Sequence, residues 1–536
     1  MASMASWLTK PELILSIITF VLLYLFRYYH QSHHHLLLNF PVIGMLPGLF
    51  ANLHWVHDWG TNIIRASGGT FMFRGPWFAS MEYVVTSDPA NINHIFNTNF
   101  INYPKGEEFF EIFDILGDGI FNSDGESWRL QRKKAHNLMT DHNFKAFLIK
   151  SSNSKVYTEL IPLLQQLAGG EKEAQVVNLQ DVFLRFTFDA TCELVFGVNP
   201  KSLSPEFPTI PFSKAMDEAM TVILLRHTVP PQWWKLLRWL NVSGEKKLAR
   251  ARKVIDQFIA EVIEKKRDNH GNFRDSNLLT SYIKDTSSIE DIQESNKILR
   301  DTTMNLMLAG RDTTGAALTW FFWLLSKNKQ AEEKIIEELK QYSLVKKEGI
   351  AGEELGKLVY LHAALCESLR LYPPVPFEHK AVVKEDVLPS GVEVRPGIKI
   401  LIFLYGIGRM KEVWGEDCME FKPERWISEK GKLRHEPSFK FLSFNAGPRT
   451  CLGKEVAFAQ MKTVVAGILS RFHVDVVEGQ VVEPKLSIIL HTKNGIDGED
   501  KGEKPELIWL CITNYIKCHY DVSFLCLLAM VLIKMV

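Results

Sequence analysis

Phe444-Asn445-Ala446-Gly447-Pro448-Arg449-Thr450-Cys451-Leu452-Gly453 is the stretch on which the reading of this chain turns. One cysteine stands in a loop between Gly447 and Gly453, and an apolar helical pattern follows from about Lys454 to Arg471. A thiolate placed there meets backbone N–H groups and the positive end of the helix dipole, and both stabilise charge on sulfur. The glycines let the backbone come close to a flat ligand. Arg449 can reach an anionic group on that ligand. A lone cysteine is more often a small core hydrophobe. The arginine, the glycines and the helix that follows argue instead for a sulfur ligand to haem iron.

Bulk properties narrow the rest. With 536 residues, 46% of them hydrophobic, the chain can bury a large core. A formal net charge of zero gives no basic excess for nucleic acid. The seven cysteines are odd in number and scattered, with no Cys-x-x-Cys pair, which argues against a disulfide framework or a zinc site. A reducing compartment follows for the catalytic part. Without a Cys-x-x-Cys-His run, haem would be held without covalent attachment.

Leu13–Phe26 is apolar, is followed by Arg27 rather than a cleavage site, and has aromatic residues at both flanks. These features predict a retained membrane anchor over residues 1–30 with the bulk of the chain on the cytosolic side. Residues 31–50, with Pro41, Gly44, Pro47 and Gly48, read as a stiff hinge. His33, His34 and His35 belong to it as polar residues, since nothing nearby completes a metal ligand set. Residues 51–496 form the main domain. Short strands are expected at Phe71–Phe73, Tyr83–Thr86 and near Val392–Val394, and helices dominate from about Ser127 to Leu339. The long helical stretches are Lys246–Lys266 and Ser295–Ser326. The fold class is therefore mainly α with a minor β-sheet region. Residues 497–536 are an atypical tail: a charged linker precedes Ser523–Ile533, which is too short to span a bilayer.

Three further motifs carry chemistry. Ala309-Gly310-Arg311-Asp312-Thr313-Thr314 lies within a long apolar helix, where glycine costs about 1 kcal/mol against alanine. A widened turn there would open a groove for dioxygen. Thr313 would hold a proton by hydrogen bonding, and Asp312 would relay protons from solvent. Asp301-Thr302-Thr303 repeats some of these letters without the Ala-Gly pair and is assigned to structure. Glu367 and Arg370 share one helical face among apolar neighbours, and Arg425 in Pro423-Glu424-Arg425-Trp426 offers a second guanidinium. A Glu367–Arg370–Arg425 network would lock the Cys451 loop. Trp128 and Arg132, four apart, can face a cofactor from one helix.

Taken in order, these motifs resemble the cytochrome P-450 family over roughly Pro41 to Ile496. Phe444, Gly447, Arg449, Cys451 and Gly453 match Phe-x-x-Gly-x-Arg-x-Cys-x-Gly, and Trp128 and Arg132 match Trp-x-x-x-Arg. Trp426 departs from the family's Pro-Glu-Arg-Phe. The resemblance implies the family fold with an N-terminal anchor in the endoplasmic reticulum membrane. It implies haem b with Cys451 as axial ligand, and Arg132 paired with a haem carboxylate. Lys380 occupies a second position where such a cation is placed. Dioxygen is the implied co-substrate, with electrons from NADPH through NADPH-cytochrome reductase. Lys133, Lys134 and Lys454 would give that acidic partner a basic face. Asp312 and Thr313 are the implied catalytic pair.

Asn102-Tyr103-Pro104-Lys105-Gly106, Leu116–Asn122 and Phe186-Thr187-Phe188-Asp189 resemble the plant clan that oxidises fatty acids and alkanes. Val481–Lys485 and Lys493-Asn494-Gly495 resemble its mid-chain alkane hydroxylase branch. Hydroxylation of a long aliphatic chain of cuticular wax is the activity this implies. Terminal fatty-acid oxidation, oxidative phenol coupling in alkaloid synthesis, and haem binding without turnover stand as alternatives. Phe109, Phe110, Phe113, Phe121, Val375, Phe377 and the Met304–Ala309 side of the long helix are expected to wall the substrate. Glu378 and His379 offer anchors for a polar one.

Overall fold

The computed structural model describes Thr19 and residues 37–40, 42–168, 177–268, 277–287, 289–345, 347–477 and 480–493. Apart from Thr19, the expected anchor segment and the tail 497–536 lie outside the described residues. No described helix is long and apolar enough to cross a membrane. Among the described residues the architecture is mainly helical, with one four-stranded and one two-stranded sheet.

The strands are β1 (Thr70–Arg74), β2 (Glu82–Thr86), β3 (Phe377–Ala381), β4 (Asp386–Val387), β5 (Glu393–Val394) and β6 (Lys399–Phe403). The larger sheet has the order β1-β2-β6-β3; β2 and β6 run parallel and the other pairs antiparallel. β1, β2 and β5 fall where the sequence predicts them. β6 is a short apolar run buried on both faces, as parallel central strands are. β3 carries Glu378, His379 and Lys380, so nothing in its composition announces a strand. The predicted hinge meets this sheet: Met45 N donates to Arg74 O at 2.7 Å. Gly44 sits at φ +63°, where a Cβ would lie 2.3 Å from the carbonyl oxygens of Arg74 and Gly75.

The helix Ile292–Ser326 is the axis of the molecule. Asp291 caps it by accepting from Gln293 N. Its 35 residues span about 52 Å. It lies against the helix Leu179–Phe196 at two bare positions. A Cβ on Gly310 would meet Thr191 Oγ1 at 2.6 Å, and one on Gly315 would meet Leu184 Cδ2 at 2.9 Å. The low propensity of Gly310 thus has a packing cause. Farther along, Trp320 Nε1 donates to Leu490 O at 2.6 Å, and Leu490 N donates to Pro374 O at 2.8 Å. Thr492 N donates to Gln180 Oε1 at 2.7 Å. Residues 489–492 are therefore sewn to both helices.

Candidate active site

The Cys451 loop is a 3-10 turn, Gly447–Arg449, followed by the helix Lys454–Leu469. Cys451 N donates to Phe444 O at 2.7 Å, which fixes the loop's exit. Gly447 has φ +59°, and a Cβ there would lie 2.1 Å from Phe96 O. The neighbouring backbone by itself already demands a glycine there. A Cβ on Gly453 would meet only Cys451 Sγ, at 3.9 Å. The Cys451 side chain is exposed, but to an internal cavity that it helps to line. Burial pushes its thiol pKa up, outweighing the Gly453 N–H, Arg132 and Lys454.

That cavity has a volume of about 520 Å³. Phe444, Arg449, Cys451, Gly453, Trp128 and Arg132 line one side of the site, and Ala309, Gly310 and Thr313 contribute the central helix. Phe109, Phe113, Phe121, Val375 and Phe377 supply apolar wall as expected. Gly447, Asp312, Lys380 and Met304 do not line it. Phe110 is also off the wall and 37% exposed; it sits on the outer face of its helix turn.

Beside the cavity, cations gather. Arg132 Nη2 donates to Thr450 O at 2.6 Å. Arg449 Nη2 donates to Ser123 O at 2.8 Å and to Asp124 Oδ1 at 2.5 Å, and its guanidinium stands 4.6 Å from the Trp128 ring centre. Lys380 Nζ is buried without a hydrogen-bond partner, 3.5 Å from Glu378 Oε1, and burial lowers its pKa to about 7. Sequence reasoning missed Lys105, whose Nζ donates to Glu378 Oε1 at 2.7 Å from the cavity wall. Its only signal was a lysine beside a glycine in Tyr103-Pro104-Lys105-Gly106. Burial alone would raise the Glu378 carboxyl, but Lys105 and Lys380 bring it down to about 2. Lys380 Nζ and Arg449 Nε are buried with no hydrogen-bond partner. A cation-rich border beside a cavity that also holds an open cysteine sulfur fits a porphyrin bearing carboxylates and a metal.

Next to the cavity, Thr313 Oγ1 donates to Ala309 O at 2.7 Å. The expected widened turn is absent: the helix runs unbroken through this motif. The Asp312 carboxylate turns to Arg311, whose Nη1 donates to Asp312 Oδ1 at 2.5 Å and to Asp217 Oδ1 at 2.9 Å. Arg311 also bonds Ser213 Oγ. Burial raises the Asp312 carboxyl to about 6 against the pull of Arg311. Asp217, Asp312 and His491 bring ligand-type atoms within 4.8 Å of one another. The Arg311 guanidinium bridging the two carboxylates makes this an ion pair, not a cation site. Arg311 Nε, Asp312 Oδ2 and His491 Nδ1 are buried there without partners. Asp301 behaves structurally as expected, with Oδ2 accepting from Asp118 N at 2.9 Å, although Thr302 lines the cavity.

Glu367, Arg370 and Arg425 come together. Arg370 donates to both Glu367 oxygens at 2.8 Å, and Arg425 Nε donates to Glu367 Oε1 at 3.3 Å. Trp426 Nε1 adds a bond to Glu367 Oε2 at 2.8 Å. Trp426 thus supplies a donor that a phenylalanine would lack. Arg370 also holds the carbonyls of Gly408, Cys418 and Glu420. These bonds tie the 408–426 segment to the helix Val359–Leu371. The tie to the ligand loop is separate: Ser443 Oγ donates to Leu369 O at 2.7 Å.

A family profile described as Cytochrome P450 matches residues 49–496. The chain belongs to the cytochrome P450 family. Noroxomaritidine synthase of Narcissus aff. pseudonarcissus MK-2014 is 44% identical over 510 residues, spanning 92% of this chain and 98% of that protein. Alkane hydroxylase MAH1 of Arabidopsis thaliana is 43% identical over 468 residues, 86% of this chain and 92% of that one. Cytochrome P450 86B1 of the same plant is 40% identical over 505 residues, 90% and 88%.

This P450 is accordingly an oxygenase that uses haem-thiolate iron, dioxygen and NADPH-derived electrons delivered by a reductase. Family membership sets aside haem binding without turnover. Of the three lysines expected to face the reductase, Lys133 is exposed, and Lys134 is held by Asp285 at 2.6 Å. Lys454 lies 5.8 Å from the Phe444 ring centre.

Proposed function

We propose that this P450 hydroxylates a long aliphatic chain, with a mid-chain alkane of cuticular wax as the favoured substrate. The observation that carries this reading is the cavity wall of Phe109, Phe113, Phe121, Val375 and Phe377, which suits a hydrocarbon. Cys451 would be the iron ligand. Arg132, Arg449 and Lys380 would hold the haem carboxylates, with Trp128 packed beneath Arg449. Phe444, Gly447 and Gly453 shape the loop. Haem, when bound, supplies oxygen activation and electron transfer. Thr313 holds a proton at the dioxygen side of the cavity, and Asp312 passes protons to it from the Arg311–Asp217 side. Glu367, Arg370 and Arg425 lock the segment behind the loop.

Residues 1–30 act as the single anchor in the endoplasmic reticulum membrane, 31–50 as hinge, 51–496 as the cytosolic monooxygenase domain, and 497–536 as a tail without assigned role. Microsomes carrying the protein and a supplied reductase, given NADPH and a long-chain alkane, should yield secondary alcohols by mass spectrometry. Absence of alkane products, with a fatty acid or a phenolic amine converted instead, would replace the reading.

A second reading, oxidative phenol coupling, has its own support. Two imidazoles interrupt the apolar wall, and noroxomaritidine synthases are similar across almost the whole chain.

A further inference from the structure

His227 and His379 come from distant parts of the chain and meet in the cavity wall. His227 is the penultimate residue of the helix Pro211–Thr228, and His379 is the middle residue of β3. Their ring centres are 5.8 Å apart, edge to face at 66°. Phe113 packs on His227 at 5.5 Å and Phe109 on His379 at 5.8 Å, while the two phenylalanines stack at 4.3 Å. Four rings therefore form one closed patch, two apolar and two polar, and all four line the cavity.

The polar atoms of this patch are specific. His227 Nδ1 lies 3.0 Å from Ile223 O. A carbonyl oxygen only accepts, so Nδ1 carries the proton and Nε2 is left as an acceptor. His379 is 3% exposed, and its Nδ1 is buried with no hydrogen-bond partner. Such an atom is costly to leave unmet in an apolar wall. Burial holds both imidazoles well below their ordinary pKa, that of His227 at about 4. Both are therefore uncharged at neutral pH. Two of the nearby cations already hold carboxylates: Lys105 Nζ lies 2.7 Å from Glu378 Oε1, and Lys399 Nζ sits 2.8 Å from Glu108 Oε1.

We propose that His227 and His379 together bind a hydroxyl group on the substrate of this P450, an aliphatic alcohol or a phenol. A hydroxyl both donates and accepts, and two neutral imidazoles offer both roles. The Phe109–Phe113 stack covers the carbon next to it. The assignment rests on the reading of this cavity as the substrate pocket, and in place of the plain alkane it favours an oxygen-bearing substrate: a long-chain alcohol, such as alkane hydroxylation itself would yield, or a phenol.

The test is optical titration of the haem-loaded protein with ligands matched in carbon number: an n-alkane, its primary and mid-chain alcohols, an alkylbenzene, the corresponding 4-alkylphenol, and a fatty acid. A hydroxylated ligand should bind about tenfold more tightly than its hydrocarbon partner. The alcohol and phenol arms show which source is meant. His379→Phe should remove the preference, and His379→Gln should keep part of it. Equal affinity of hydroxylated and plain ligands, tightest binding of the fatty acid, or a preference that survives His379→Phe would each overturn the assignment. The ligand series on the unmodified protein decides even if His379→Phe does not load haem. A normal thiolate-type carbon-monoxide spectrum with no hydroxyl preference sinks this assignment alone; loss of that spectrum in the unmodified protein sinks the haem-thiolate reading with it.

Discussion

Gly310 presses its bare α-carbon against Thr191, so closely that a methyl group would fall 2.6 Å from Oγ1 and 2.9 Å from Cγ2. Rotation of the threonine offers little escape, because both branches of its side chain are in the way. Gly310→Ala should therefore lose stability despite the better helix propensity of alanine. Overpacking of this kind costs about 1–3 kcal/mol, against a helix gain of at most about 1 kcal/mol. Thermal unfolding of the haem-loaded protein should show a lowered midpoint, with partial recovery in Gly310→Ala/Thr191→Ala. A raised midpoint in the single variant would contradict the packing argument.

Cys451→Ala leaves the loop's backbone bond to Phe444 in place but removes the sulfur. The carbon-monoxide difference band of a thiolate-ligated haem should vanish together with turnover. A retained band would assign the axial ligand elsewhere.

Asp312 holds its proton below about pH 6, because burial disfavours the charged form, and gives it up above that value. As a relay residue, it should deliver protons less readily as pH rises through 6. Product formed per NADPH consumed is expected to fall over that window and to lose its titration in Asp312→Asn. Thr313→Ala should raise hydrogen peroxide release relative to product at every pH. A flat, unchanged coupling ratio in both variants would mean that protons arrive by another path.

Glu367 is fully buried and accepts from Arg370, Arg425, Trp426 and the Lys422 backbone. Glu367→Ala takes the carboxylate from the buried Arg370 guanidinium, a loss of about 3–5 kcal/mol for a broken buried pair, while the partly buried Arg425 keeps Asp417 at 2.9 Å. Little haem-loaded protein should accumulate, as measured by its absorbance per unit of chain. Trp426→Phe removes one donor and should cost far less. Equal yields for the two variants would demote the network to a bystander.

The cysteine loop was readable because its parts are contiguous: Phe444, Arg449 and Cys451 lie within eight residues of one another. The Glu367 and Trp128 motifs were readable for the same reason, since helix spacing alone places their members on one face. Lys105 with Glu378, and His227 with His379, were not. Each pair is joined only by the docking of β3 against distant helices, and no local period encodes such a meeting. β3 itself was hidden by the three polar residues in the middle of its five-residue run. The widened turn was inferred from the wrong cause, since Gly310 answers to Thr191 rather than to dioxygen. Phe110 was grouped with Phe109 by composition, yet adjacent helix positions point in different directions.

Residues 488–492 serve two masters. Ile488 and Ile489 line the cavity, while Leu490 and Thr492 are sewn to Trp320, Pro374 and Gln180. Any change of substrate range made in this stretch risks unpicking the seam. Phe121, 37% exposed on the wall of the same chamber, is tied to Asn305 of the long helix through its backbone N–H at 3.1 Å, so its side chain can change while that bond stays. Duplicated genes descended from this one would diversify most cheaply there, keeping the seam constant while the rim drifts.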